Sequence, residues 1–143
     1  MKQEHFRKLE RMYEQAKIND FYRPKLTIET GRSTLVIPIR KEMHHAAHAV
    51  HGSIYFKALD DAAFFAVNSL VEDVFVLTAN FTLYFLKPVT SGTITAKGEA
   101  AYSSGNSFIG EAQLFDDEGD QVARGSGTFI RSKVALDPSI GYL

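Results

Sequence analysis

The chain has 143 residues, 45% hydrophobic and 23% charged, with a formal net charge of -1; that is enough for one domain with a real core and provides no long-range field toward nucleic acid or an anionic membrane. It has no cysteine, which excludes disulfides, thiolate nucleophiles and cysteine-ligated metal and fits a reducing compartment. The opening MKQEHFRKLERMYEQ has no apolar run resembling a signal peptide, and no stretch reaches the roughly eighteen consecutive apolar residues of a membrane span, so a cytoplasmic protein is expected.

Residues 3–18 predict an amphipathic helix, with Phe6, Leu9, Tyr13 and Ala16 at helical spacing, ended by Asn19 and Asp20. Residues 24–39 predict a short hairpin turning at Thr30-Gly31-Arg32-Ser33, and Pro38 places the end of its second strand at an edge. Residues 40–51, RKEMHHAAHAVH, hold four of the five histidines and read as a loop leading into the next helix. Gly52 to Asn68 is one helix, apolar on nearly all sides and therefore buried. Four strands follow, over 75–86, 93–102, 107–115 and 121–131. In the first, Leu77, Ala79, Phe81, Leu83 and Phe85 alternate with Thr78, Asn80, Thr82 and Tyr84, the pattern of a half-buried strand. In the last, small residues at Gly125 and Gly127 leave room for a close helix. Residues 132–143 read as a tail.

This order predicts an α+β fold in one domain spanning 1–143: an N-terminal helix, a core over about 22–131, and an antiparallel meander curled around one long central helix. A single sheet leaves the helix's far side bare, so Phe56, Phe64 and Val67 call for a partner chain.

Two adjacent carboxylates, Asp60 and Asp61, interrupt the central helix. Residues three and four apart share a helix face. Asp61 therefore lies beside Lys57, which can pair with it. Asp60 lies among Phe56, Ala63, Phe64 and Val67 with no local cation. A carboxylate on an apolar stripe is costly unless used, and desolvation raises its pKa toward proton-transfer range. The histidine loop offers a weak metal alternative, His44 and His48 at helical spacing, with only Glu42 to complete it; no metal is expected. His51 with Ser53 lacks the Gly-x-Ser-x-Gly context of a serine nucleophile, and a role for His51 in shaping the helix start is equally open.

The stretch His51-Gly52-Ser53, Asp60 nine residues after His51, and FLKPVTSGTITAKGEA from Phe85 resemble the hotdog-fold acyl-CoA thioesterases, most closely the phenylacetyl-CoA thioesterase type, over roughly residues 22–131. The resemblance implies a hotdog fold, an antiparallel sheet wrapped around a long helix, and hydrolysis of an acyl- or aryl-acyl-CoA thioester without a cofactor. It places the catalytic carboxylate on Asp60, the oxyanion donor on the Gly52 N–H, and a water-holding hydroxyl on Thr78. His45 stands where the family has asparagine and Ser53 where it has a second glycine. His51, Ser53, Phe56, Phe64, Tyr84, Ser104 and Gly105 are the expected substrate contacts, with Arg124, Arg131 and Lys133 as candidates for the CoA phosphates. Gly52 and Asp60 are eight residues apart on one helix, about 12 Å at 1.5 Å per residue. One helix therefore cannot bring both to one thioester, and a homodimer with shared sites is expected, extended in the family to a dimer of dimers. The alternative is a hotdog module that binds acyl-CoA without cleaving it; the carboxylate favours the enzyme.

Overall fold

The computed structural model describes residues 2–143. Helix α1 (Lys2–Gln15) buries His5, Phe6, Leu9, Met12 and Tyr13. It ends one residue before Ala16, and a short helix α2 (Asn19–Tyr22) follows. Strands β1 (Lys25–Glu29) and β2 (Arg32–Pro38) form the expected hairpin, with Gly31 at φ +70° in its turn. A 3₁₀ turn at Lys41–Met43 and a bridge between His44 and Val50 fold the histidine loop. Then come α3 (Gly52–Asn68), β3 (Val74–Phe85), β4 (Thr93–Ser104), β5 (Ser107–Phe115) and β6 (Gln121–Ala135).

The six strands make one sheet in the order β1-β2-β4-β5-β6-β3, and every pairing is antiparallel. The predicted four-strand meander is thus corrected. Only β4, β5 and β6 meander; β3 crosses over to pair with β6 and becomes the edge opposite β1. Pro38 pairs with Thr93 beyond the end of β1, where its missing N–H faces no partner strand.

The sheet wraps α3, and glycine sets how closely. A Cβ on Gly98 would lie 2.2 Å from the carbonyl oxygen of Ala62, and one on Gly110 would lie 3.0 Å from that of Ala63. The helix backbone therefore rests directly on β4 and β5. Gly125 and Gly127, predicted to admit the helix, instead seat the ring of Phe81 from β3. Phe64 and Val67, predicted to need a partner, are buried within the chain, Phe64 against Phe65, Phe75 and Phe129. Only Phe56 of that trio remains exposed.

Asn68 joins the end of α3 to the start of β3. Its amide donates to the carbonyls of Val71 and Val74, and its Oδ1 accepts from the N–H of Val76. A bulge at Ala79 then shifts the phase of β3 by one residue. The predicted unbroken apolar face from Leu77 to Phe85 is split there. Ahead of the bulge Val76 is fully buried, Leu77 is half-exposed and Thr78 reaches α3; beyond it Phe81 packs inward.

The C-terminal segment is no free tail. The hydroxyl of Tyr142 meets Nδ1 of His5 at 2.8 Å, Nε2 of His5 meets the Asn68 carbonyl at 2.9 Å, and Arg11 donates to the Leu143 carbonyl. Residues 136–143 are thereby fastened along α1.

Candidate active site

Asp60 lies mid-way along α3, where the bulged part of β3 approaches it. Thr78 Oγ1 donates to Asp60 Oδ1 at 2.9 Å. Burial pushes the Asp60 pKa up to about 6, helped by the neighbouring Asp61 charge and opposed by the Thr78 hydrogen bond and by Lys57. A carboxylate titrating there is largely ionised at neutral pH and still basic enough to take a proton from water.

Asp61, which borders the same hollow as Asp60, is engaged by α1 and by Lys57. It accepts a 2.6 Å hydrogen bond from the Tyr13 hydroxyl and pairs with Lys57 Nζ at 2.8 Å. The Lys57 ammonium also lies over the rings of Tyr13 and Tyr22. Burial raises the pKa of Asp61, and Lys57 with its hydrogen bond pulls it back. Asp61 fastens α1 to α3 through Oδ2, which takes both contacts.

The other end of α3 is built from a histidine cap. Nδ1 of His51 accepts from the Ser53 N–H at 3.0 Å and meets Ser53 Oγ at 2.8 Å. The Ile54 N–H goes to the His51 carbonyl. The Gly52 N–H has no protein acceptor among the described residues and lies at the positive end of the helix. The Phe85 ring lies 3.0 Å from where a Cβ on Gly52 would stand. Gly52, Phe85 and His45 line a hollow of about 400 Å³ with Val50, Tyr55 and Lys87. His45 Nδ1 accepts from the Ala47 N–H. His44 is tied to the Thr90 carbonyl and His48 sits at φ +66°, so they share no helix face.

Asp60 opens onto a second, larger hollow of about 650 Å³ between α1, α3, β3 and the C-terminal segment, walled mainly by Tyr13, Phe64, Phe65, Phe75 and Leu77. The structure thus brings Asp60, Thr78 and Phe64 together beside the middle of α3, and Gly52, His51, Ser53 and His45 at its N-terminus. Phe56 stacks edge-on against Phe81 with its outer side exposed. Tyr84 pairs in register with Arg124, and both line a polar groove walled by Lys97, Glu99 and Glu111 rather than the Asp60 hollow. Ser104 and Gly105 form an exposed hairpin turn that lines none of the three hollows. Arg131 is held by both oxygens of Asp73, and Lys133 is exposed. Tyr13 was legible in the sequence only as a packing residue of the first helix, Phe75 only as the start of a strand, and Phe85 as an apolar strand residue and the first of the stretch that carries the resemblance. Nothing in their spacing sets them apart from other packing aromatics.

The sequence profile of the thioesterase superfamily matches residues 47–123. That span holds Gly52, Asp60 and Thr78, and the chain belongs to the thioesterase superfamily. A protein of Saccharolobus solfataricus named as an esterase is 24% identical over 103 residues, covering 72% of this chain and 69% of that protein. Among solved structures, the PaaI protein from the phenylacetic acid degradation operon of E. coli superposes with a TM-score of 0.84 at 18% identity, over 93% of this chain and 96% of that one. A thioesterase family protein from Silicibacter pomeroyi superposes with a TM-score of 0.82 at 21% identity, over 88% and 96%. At these identities the superpositions establish the fold, an antiparallel hotdog sheet around a long helix.

Proposed function

We propose that the protein is an acyl-CoA thioesterase acting as a homodimer with two shared sites. The observation that carries this reading is Asp60: a carboxylate raised to about 6, held by Thr78 and facing an apolar hollow, in a chain of the thioesterase superfamily.

In this reading Asp60 takes a proton from a water oriented by Thr78, and the water oxygen adds to the thioester carbonyl. The carbonyl oxygen becomes an oxyanion held by the free N–H of Gly52 of the partner subunit at its helix N-terminus. Collapse breaks the C–S bond. The thiolate of CoA leaves and receives the proton held on Asp60.

Two observations support the dimer. Asp60 and Gly52 sit at opposite parts of α3, about 12 Å apart at 1.5 Å per residue, too far to meet one carbonyl. Along the neighbouring strand, Asp60 faces Thr78 and Gly52 faces Phe85, and β3 is an edge with an unpaired side. Pairing β3 with its own copy about a two-fold axis sets the Asp60 end of one chain beside the Gly52 end of the other, twice. It also covers Phe56 and Phe85, which are 41% and 59% exposed in the single chain.

The test is incubation of the purified protein with a panel of acyl-CoAs and a thiol reagent. Thiol release is the expected result. Tight binding of acyl-CoA with no thiol release would favour the non-catalytic binding module.

A further inference from the structure

The hollow at Asp60 is bordered by parts of the chain that lie outside the matched span of 47–123. Ala16 and Ile18, just past α1, line it together with Val134 near the end of β6 and with Ile140 and Gly141 of the C-terminal segment, which packs along the end of α1. These walls are held in place. The C-terminal segment is tied to α1 through Tyr142–His5 and Arg11–Leu143, and α1 is tied to α3 through Tyr13–Asp61. Beyond Asp60 the surface is dominated by Phe64, Phe65, Phe75 and Leu77. Of the charged groups nearby, Lys57 and Asp61 are paired with each other at 2.8 Å, and Gln15 and Asn19 are the uncharged polar side chains of the border other than Tyr13.

We propose that the segment following α1 and the C-terminal segment together select the acyl group, which lies in this hollow as an apolar chain or ring with its thioester carbonyl at Asp60. This rests on the thioesterase reading and adds the substrate end to it. The occupant follows from continuity: Asp60, the carboxylate of the hollow not engaged by a cation, marks where the reacting carbon must stop, and the mainly apolar lining favours hydrocarbon for the remainder. The bulk of Ile18 and Ile140 at the border of the hollow then sets the largest acyl group accepted. Neither residue touches the reacting atoms; both set specificity.

Two substitutions on these walls change the room available without touching Asp60, Thr78 or Gly52. Ala16 is exposed just past the end of α1, so Ala16→Phe adds bulk at the mouth without a core clash. Ile140→Ala removes bulk contributed by the C-terminal segment. The kcat/KM of wild type and both variants is measured for straight-chain acyl-CoAs from two to sixteen carbons and for benzoyl- and phenylacetyl-CoA. Ala16→Phe is expected to move the optimum to shorter groups, cutting kcat/KM for the longest accepted group by about tenfold or more while leaving the shortest within about twofold, and Ile140→Ala to move it to longer ones, on the scale of the roughly tenfold or more that a methylene in an apolar pocket contributes. Equal effects on all chain lengths, or none, overturn the proposal while leaving the thioesterase reading intact. If wild type releases no thiol from any substrate, the thioesterase reading falls. Binding of the matching free carboxylic acids, measured by calorimetry on the same three proteins, then decides the hollow: chain-length preference shifting with the walls sustains it, and no binding or no shift overturns it.

Discussion

Thr78 and Asp60 meet at 2.9 Å across the seam between β3 and α3, and they meet because one extra residue, Ala79, shifts the phase of the strand. The hydrogen bond favours the ionised carboxylate and holds its pKa below where burial alone would put it. Replacing Thr78 with valine keeps the shape and removes the donor. The acid limb of the pH–rate profile of Thr78→Val is expected to move up by about one pH unit, the equivalent of one charge-assisted hydrogen bond. A limb that stays in place would show that the hydroxyl does not act on Asp60.

Asp61 is expected to give the opposite sign. Asp61→Asn removes a negative charge beside Asp60 and releases Lys57 to act on it, so both changes lower the Asp60 pKa. The acid limb should move to lower pH, with kcat at neutral pH within roughly tenfold of wild type, far less than the loss of a general base. Stability should fall by about 1–3 kcal/mol, because Tyr13 and a mostly buried ammonium lose their partner. Urea titration and a pH–rate series on one preparation check both. An upward limb would reverse the assignment of the two carboxylates.

Asp60 also leaves a signature in stability. Its folded pKa of about 6 lies above its ordinary value of 3.8. Folding therefore favours the protonated form: the contribution is fully present below about pH 4 and is lost as pH rises through 6. Asp60→Asn, neutral at all pH, should raise Tm relative to wild type at pH 8, with the advantage disappearing below pH 4. Calorimetry across that range measures it; a lower Tm for the variant at pH 8 contradicts burial as the source of the shift.

Much of this was legible from the chain alone, and the failures have physical causes. The apolar character of Gly52–Asn68 announced a buried helix, and the three- and four-residue spacing separated Asp60 from an ion-paired Asp61. The bulge at Ala79 was not legible, since alternation continues through it in the sequence, and so periodicity alone put Thr78 on the wrong face. The crossing of β3 to β6 was equally hidden, because alternation says which face is buried but not which neighbour pairs. The last residues looked like a tail because their contacts, Tyr142 with His5 and Leu143 with Arg11, span more than 130 positions and have no local signal.

The shared site makes a prediction that a single-chain site does not. Gly52→Val puts a side chain where Phe85 stands and blocks the N–H. Chains carrying Gly52→Val and chains carrying Asp60→Asn should each be inactive alone. Co-refolded into a verified heterodimer, they should recover one working site of two, about half the wild-type kcat per dimer, because one of the two composite sites combines intact Asp60 with intact Gly52. No recovery in such a heterodimer would mean that each site is made by one chain.

The central claim is that Asp60 is the general base of thioester hydrolysis, and its most direct test is the rate of thiol release by wild type and Asp60→Asn with the same acyl-CoA at pH 7.5. Asparagine keeps the shape and can still accept from Thr78, so the fold, followed by circular dichroism, should be unchanged. A loss of about 100- to 10,000-fold in kcat is predicted. A folded Asp60→Asn retaining activity within tenfold of wild type would contradict it.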